Sequence, residues 1–228
     1  MKIKTIYSYK NASQAQDLAV VIDVLRAFTT ACFVMNNGAE EIIAVASVKE
    51  GRRLKKQNPN FILMGEREGV VPLGFNFGNS PAEIEKVNFK NKSIILSTTV
   101  GTRAVVGAIG AKEVITGAFV NAQGVIKYIR KRSPKVASLI CSSRRGKISE
   151  DYLFAQYVKG QLEDKPLDFE KIKKKVERLS IAKEFVFGPQ TKYTKGDFYL
   201  SLDLNRFNFI LKAEKGKDNL IRLVKILV

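Results

Sequence analysis

The chain has 228 residues, 45% of them hydrophobic, with 39 Lys and Arg against 22 Asp and Glu and a formal net charge of +17. That length suits one α/β domain with a sizeable core, and the charge favours anionic partners, either small polyanions or nucleic acid. Histidine is absent and cysteine occurs twice, which excludes Ser-His-Asp hydrolysis, phosphohistidine chemistry, His-ligated zinc and a disulfide framework.

The opening MKIKTIYSYK alternates charge with apolar residues and has no apolar centre of the kind a signal peptide needs. No apolar run approaches bilayer length, so the expectation is a soluble, cytoplasmic protein without membrane contact. LAVVI (18–22), continuous and β-branched, reads as a buried strand. A helix is expected from about Ala27 to Asn37, ended by Asn37-Gly38. EIIAVA (41–46) is the next strand and VKEGRRLKKQ (48–57) the next helix. FILMG (61–65) is a third strand, followed by an irregular stretch rich in Gly, Pro and Asn from Glu66 to Pro81. SIILS (93–97) precedes a helix from Gly101 to about Gly110, and EVIT (113–116) one from about Asn121 to Lys131. KVASLICS (135–142) leads into a helix from about Glu150 to Leu162. Residues 163–196 read as surface helices and loops, and the tail runs FNFILKA (207–213) and LIRLVKIL (220–227) as added edge strands. The alternation predicts a single α/β domain, a three-layer α/β/α sandwich around a mainly parallel or mixed sheet.

Ligands of open parallel sheets bind beyond the carboxyl ends of the strands, so the strand exits are the places to search. The first carries Asp23, Arg26, Thr29 and Thr30; the third Glu66 and Arg67; the fourth STTVGTRA (97–104); the sixth SSRRGKISED (142–151). In STTVGTRA, three threonines, Gly101 and Arg103 stand where a buried strand turns into a helix. A helix start exposes unpaired N–H groups and attracts anions; the same threonines would also serve as plain caps. Asp23 follows a buried run and needs a partner: a metal, backbone donors, or Arg26. Glu66-Arg67 reads as a metal ligand beside an anion donor, or as a surface ion pair. Glu150 and Asp151 read as metal ligands, or as acids complementing a helix dipole. Asn79-Ser80-Pro81 reads as a turn feeding a helix with Pro at its first position. Hard oxygen donors without histidine or paired cysteine select magnesium, and magnesium beside arginines points to phosphoryl chemistry. Cys141 ends a buried strand, and the arginines that follow it do not match the Cys-x5-Arg spacing of cysteine phosphatases, so it is expected in the core, as is Cys32.

Five motifs in order, DVLRA (23–27), GER (65–67), GFNFGNSP (74–81), TT-x-GTRA (98–104) and SED (149–151), resemble the 2-phosphosulfolactate phosphatase family of coenzyme M biosynthesis, over about Ala19 to Ala155. The resemblance implies a magnesium-dependent acid phosphatase with an α/β/α fold, releasing phosphate from a three-carbon acid that also carries a carboxylate and a sulfonate. In the working assignment, Asp23 holds magnesium with Glu66 or with Glu150 and Asp151. Arg103 and the amides of Gly101 to Arg103 neutralise the phosphoryl group, and Arg26 and Arg67 hold the remote anions. Asn79, Ser80, Thr98, Thr99 and Thr102 complete the substrate contacts. The attacking group is left open between water and a carboxylate such as Asp23. Two departures stand out: Val100 where the family commonly has Asn, and Ser142-Ser143-Arg144-Arg145 where it commonly has a small Ala-Gly after the cysteine. Either the site takes a different phosphorylated acid or the two arginines point outward. The rival readings are a binder of phosphorylated acids without turnover and a basic nucleic-acid-binding protein; acids beside the arginines speak against the latter.

Overall fold

The computed structural model describes residues 1–143 and 146–228; Arg144 and Arg145, the cations of the second departure, lie outside the described residues. Nine strands form one sheet: β1 (Lys2–Ile6), β2 (Leu18–Ile22), β3 (Glu41–Ala44), β4 (Ile62–Gly65), β5 (Ser93–Ser97), β6 (Glu113–Gly117), β7 (Val136–Cys141), β8 (Phe209–Lys215) and β9 (Ile221–Leu227). Their spatial order is β1-β7-β2-β6-β8-β9-β3-β5-β4. The helices are α1 (Ala27–Asn36), α2 (Val48–Gln57), α3 (Pro81–Ile84), α4 (Gly101–Ala108), α5 (Ala122–Arg132), α6 (Glu150–Leu162), α7 (Phe169–Glu177), α8 (Ser180–Phe187) and α9 (Lys195–Ser201). The mixed, mainly parallel sheet flanked by helices is the expected class, and each strand and helix expected between residues 18 and 162 forms within a few residues of its expected bounds. Among the described residues no helix is long and apolar enough to cross a membrane.

The tail departs from expectation. FNFILKA and LIRLVKIL do not sit at an edge. They form the antiparallel hairpin β8-β9 in the middle of the sheet, with β8 antiparallel to β6 and β9 antiparallel to β3. Their alternating pattern leaves several side chains exposed, which reads as an edge, but pattern reports which faces are wet and not which neighbours pair. Leu211 and Leu223 are fully buried. Residues Lys2 to Ile6 add a further strand, a parallel edge on β7.

The hairpin divides two parallel blocks, β1-β7-β2-β6 and β3-β5-β4. Three antiparallel steps separate β6 from β3, so the second block runs against the first in the sense of the ladder. Right-handed twist of about 20–25° per step turns the strands by about 100–125° over the five steps from β2 to β5 and offsets much of that reversal. The carboxyl ends of both blocks therefore face one crevice. Helix α1 carries the chain from β2 into the second block, and α4 carries it back from β5 to β6. The two crossover helices meet at their N-termini: a Cβ at Gly101 would stand 2.5 Å from Asp23 Oδ2 and 2.7 Å from the Ala27 Cβ, so only glycine fits there.

If the hairpin is central, truncating its core residues is costly. Leu211→Ala and Leu223→Ala should each lower unfolding free energy by about 2–5 kcal/mol, read by urea denaturation. A loss under about 1 kcal/mol in both would place β8-β9 at a tolerant margin.

Candidate active site

Asp23 is the first residue beyond β2 and is buried. Its Oδ1 accepts the Ala27 N–H at 2.9 Å, so the carboxylate caps α1. Its Oδ2 faces Ser142, from the exit of β7. Asp151, in the first turn of α6, reaches the same place. Its Oδ1 accepts the Val24 N–H at 2.9 Å and its Oδ2 the Ser143 N–H at 2.9 Å. The cap of that helix is made instead by Ser149, whose side chain accepts the Tyr152 N–H. Asp151 thus ties the exits of β2 and β7 together.

Ser142 Oγ lies 3.0 Å from Asp23 Oδ2 and 3.1 Å from Asp151 Oδ2. A hydroxyl donates one proton. If both carboxyls were ionised, one of these contacts would set lone pair against lone pair, so a proton or a cation must reside at the pair. Burial first, and then the charge of Asp151, push Asp23 far above the usual carboxylate range. Burial first, and then Glu150, do the same to Asp151.

Glu66 closes the other side. Its Oε1 accepts the Thr99 N–H at 2.7 Å; its Oε2 accepts the Thr99 hydroxyl and the Gly69 N–H, both at 2.7 Å. It is buried, not a partner in a surface ion pair. Arg67 instead holds backbone and hydroxyl: it donates to the Glu66 carbonyl at 2.6 Å and to Ser97 Oγ at 2.7 Å. Arg67 also points at the Ala46 carbonyl, the acceptor of Arg103 Nε at 3.2 Å. Burial, together with Arg103, lowers the pKa of Arg67 despite Glu66 beside it.

These exits enclose a cavity of about 280 Å³. Of the candidate site residues read from the sequence, Asp23, Arg26, Glu66, Asn79, Thr99, Glu150 and Asp151 line it, as do Val100, Ser142 and Ser143 from the two departures. Arg67 and Arg103 are not among its lining residues, and neither are Ser80, Thr98, Gly101 and Thr102. Thr98 and Thr102 satisfy each other, with Thr98 N donating to Thr102 Oγ1 at 3.0 Å and Thr102 N to Thr98 Oγ1 at 3.1 Å. Gly101 permits the close approach of α4 to Asp23, and Ser80 Oγ receives the Glu83 N–H at the start of α3. Cys141 and Cys32 are buried in the core, and burial pushes both thiols far up, which leaves neither a nucleophile.

Arg26 does not pair with Asp23. Its Nη1 donates to Asp197 Oδ2 at 2.6 Å, a fully buried partner from α9. The sequence reading missed Asp197, Tyr193, Ser142 as a bridge, and the Glu68-Gly69 turn, which also line or brace the cavity. Asp197 gave no signal of its own, since an acid in the first turn of a helix is ordinary. Among the described lining residues five carboxyls, those of Asp23, Glu66, Glu68, Glu150 and Asp151, face one guanidinium, that of Arg26. Asn79 Oδ1 is buried in the wall with no hydrogen-bond partner among the described residues.

Magnesium is the metal the sequence implies. The donors at the Ser142-bridged pair are hard oxygens, so the residues fit such an ion in kind. Among the described residues no three acids converge closely enough to form a ready-made cage. This suits magnesium, which is commonly held by one or two carboxylates together with waters and substrate phosphate.

Comparison with known proteins gives the family. The family model described as 2-phosphosulpholactate phosphatase matches residues 5–191. A protein of Pseudothermotoga lettingae named probable 2-phosphosulfolactate phosphatase is 36% identical over 170 residues, 74% of this chain and 73% of its own. Proteins of the same name from Bacillus subtilis, 34% identical, and Caldanaerobacter subterraneus, 37% identical, align over 72% and 83% of this chain and 72% and 78% of their own. With the match running through every strand exit that builds the cavity, the chain belongs to the 2-phosphosulpholactate phosphatase family.

Proposed function

We propose that the protein is a magnesium-dependent phosphatase that releases phosphate from a small polyanionic acid, 2-phosphosulfolactate being the first candidate and sulfolactate the product. Family membership and the shared name of the relatives support the reaction and substrate class. The observation that carries the metal is the Ser142 hydroxyl, which has a single proton and two buried carboxylates to serve. A polyanionic substrate beside Asp23 and Asp151, two buried carboxyls that share one hydroxyl, also requires compensating charge.

Asp23 and Asp151 would hold the ion through the oxygens that meet at Ser142. When bound, it supplies Lewis-acid neutralisation of the phosphoryl oxygens. The oxygens of Glu66 already accept three hydrogen bonds, so its role is to fix Thr99 and the turn at Gly69 against the cavity. Of the loop that leads into α4, Thr99 and Val100 line the cavity and would face the phosphoryl group. Arg67 and Arg103 act at one remove, by holding Ala46 and the Glu66 backbone. Arg26 receives the remote carboxylate or sulfonate and so orients the ester. Asn79, which lines the cavity, would donate from its Nδ2 to the bound acid. With no histidine in the chain, proton transfer at the ester oxygen falls to a carboxyl group or to water.

The direct test is phosphate release from 2-phosphosulfolactate. Turnover should require magnesium, stop on chelation, and fall at least about 100-fold in Asp23→Asn. Magnesium-independent turnover, or an Asp23→Asn enzyme of near-parental rate, would refute the assignment. Binding without any release would favour the binder reading.

The raised carboxyls give a second test with a defined sign. A carboxyl whose pKa is higher folded than unfolded binds more protons in the native state, so stability falls as pH rises from the unfolded value through the folded one. The metal-free protein should therefore melt lower at pH 8 than at pH 5.5, by about 2–4 °C for each kcal/mol lost. Magnesium should restore the difference, and its binding near neutral pH should release protons, seen as a buffer-dependent heat in calorimetry. A flat melting profile with no proton release would contradict the shared-proton pair.

A further inference from the structure

The Arg26 guanidinium is held by parts of the chain that lie at or beyond the end of the family-matched stretch, residues 5–191. Asp197 accepts from Arg26 Nη1 at 2.6 Å through Oδ2, while its Oδ1 accepts the Ser80 hydroxyl at 2.6 Å and the Ala82 N–H at 3.0 Å. The Thr194 hydroxyl in turn accepts the Asp197 N–H at 3.1 Å. Asp197 and Arg26 are both buried. Arg26 Nη2 reaches the Lys192 carbonyl at 3.4 Å, and its guanidinium carbon stands 5.1 Å from the Tyr193 ring centre and 5.5 Å from that of Phe185. Those rings stack on each other at 4.6 Å. Acid, carbonyl and rings thus fix the guanidinium from several sides, while Arg26 and Tyr193 both line the cavity. A free arginine side chain samples many rotamers, and ordering it on binding costs affinity. Here that ordering is complete before any ligand arrives.

We infer that Asp197, with Tyr193 and Phe185, forms a positioning clamp that presets Arg26 as the cavity's recognition group for a second anion, a carboxylate or sulfonate, on the phosphorylated acid. Discrimination between such acids and simple phosphate esters is then set by the α8–α9 segment. The inference rests on the phosphatase reading for its assay, and its basis in binding can be measured apart from it.

The test compares 2-phosphosulfolactate with phenyl phosphate, which lacks the remote anion, in the full-length chain. Asp197→Asn should lower kcat/KM on 2-phosphosulfolactate by about 10–100-fold, mostly through KM, with a loss at least tenfold smaller on phenyl phosphate. Tyr193→Leu, at the half-buried side of the clamp, should show the same selectivity at about three- to thirtyfold. It decides the matter if circular dichroism shows that Asp197→Asn does not fold. Equal losses on the two esters, or none on either, overturn the clamp. Should the parent release phosphate from neither ester, the phosphatase reading fails. Calorimetric titration with 3-sulfolactate then decides the clamp alone: parental binding weakened tenfold or more by Tyr193→Leu supports it, and no parental binding or equal binding overturns it.

Discussion

Two buried carboxylates cannot share one hydroxyl proton without help, and that constraint organises this molecule. Asp23 and Asp151 come from different strand exits, and each accepts backbone N–H groups that hold it in place. Those bonds fix the geometry but do not remove the repulsion between the acids. In a low-dielectric crevice such a pair calls for a proton or a cation. A fold optimised only for stability would avoid the arrangement. Its presence at the convergence of the strand ends accords with the ion site proposed above, at some cost to stability.

The sheet makes that convergence possible by an indirect route. A simple parallel sheet would bring its carboxyl ends to one side without further devices. Here the β8-β9 hairpin separates two parallel blocks and reverses one against the other. Twist offsets the reversal, and the crossover helices α1 and α4 carry the chain between the blocks and meet over Asp23. The C-terminal residues are therefore central to the sheet and join the two halves. Leu211 and Leu223 are as buried as the residues of β2.

Arg26 is the one cation among the described lining residues of the cavity. The guanidinium is fixed by a buried acid and two rings from the segment after α7. Arg67 and Arg103 support the wall from behind, on the carbonyl of Ala46. Among the described residues, acids line the cavity while Arg67 and Arg103 lie behind them, the reverse of what a polyphosphate-binding surface would show.

Local pattern determined much of this protein. Alternating apolar runs and capped helices fix the elements between residues 18 and 162, because burial and the first turns of helices leave marks within a few residues. The ordered motifs at the strand exits likewise place Asp23, Arg26, Glu66, Asn79, Thr99, Glu150 and Asp151 at candidate positions, and all seven line the cavity. What the sequence could not contain is pairing at a distance. The hairpin reads as an edge because side-chain alternation carries no information about neighbouring strands. Arginines at strand exits look alike in sequence, yet one lines the cavity and two brace a carbonyl. The acid that orients the first lies 171 positions away. Ser142 becomes a bridge only when β2 and β7 lie side by side. Contacts of that kind are made by chain crossing, and only the folded molecule decides them.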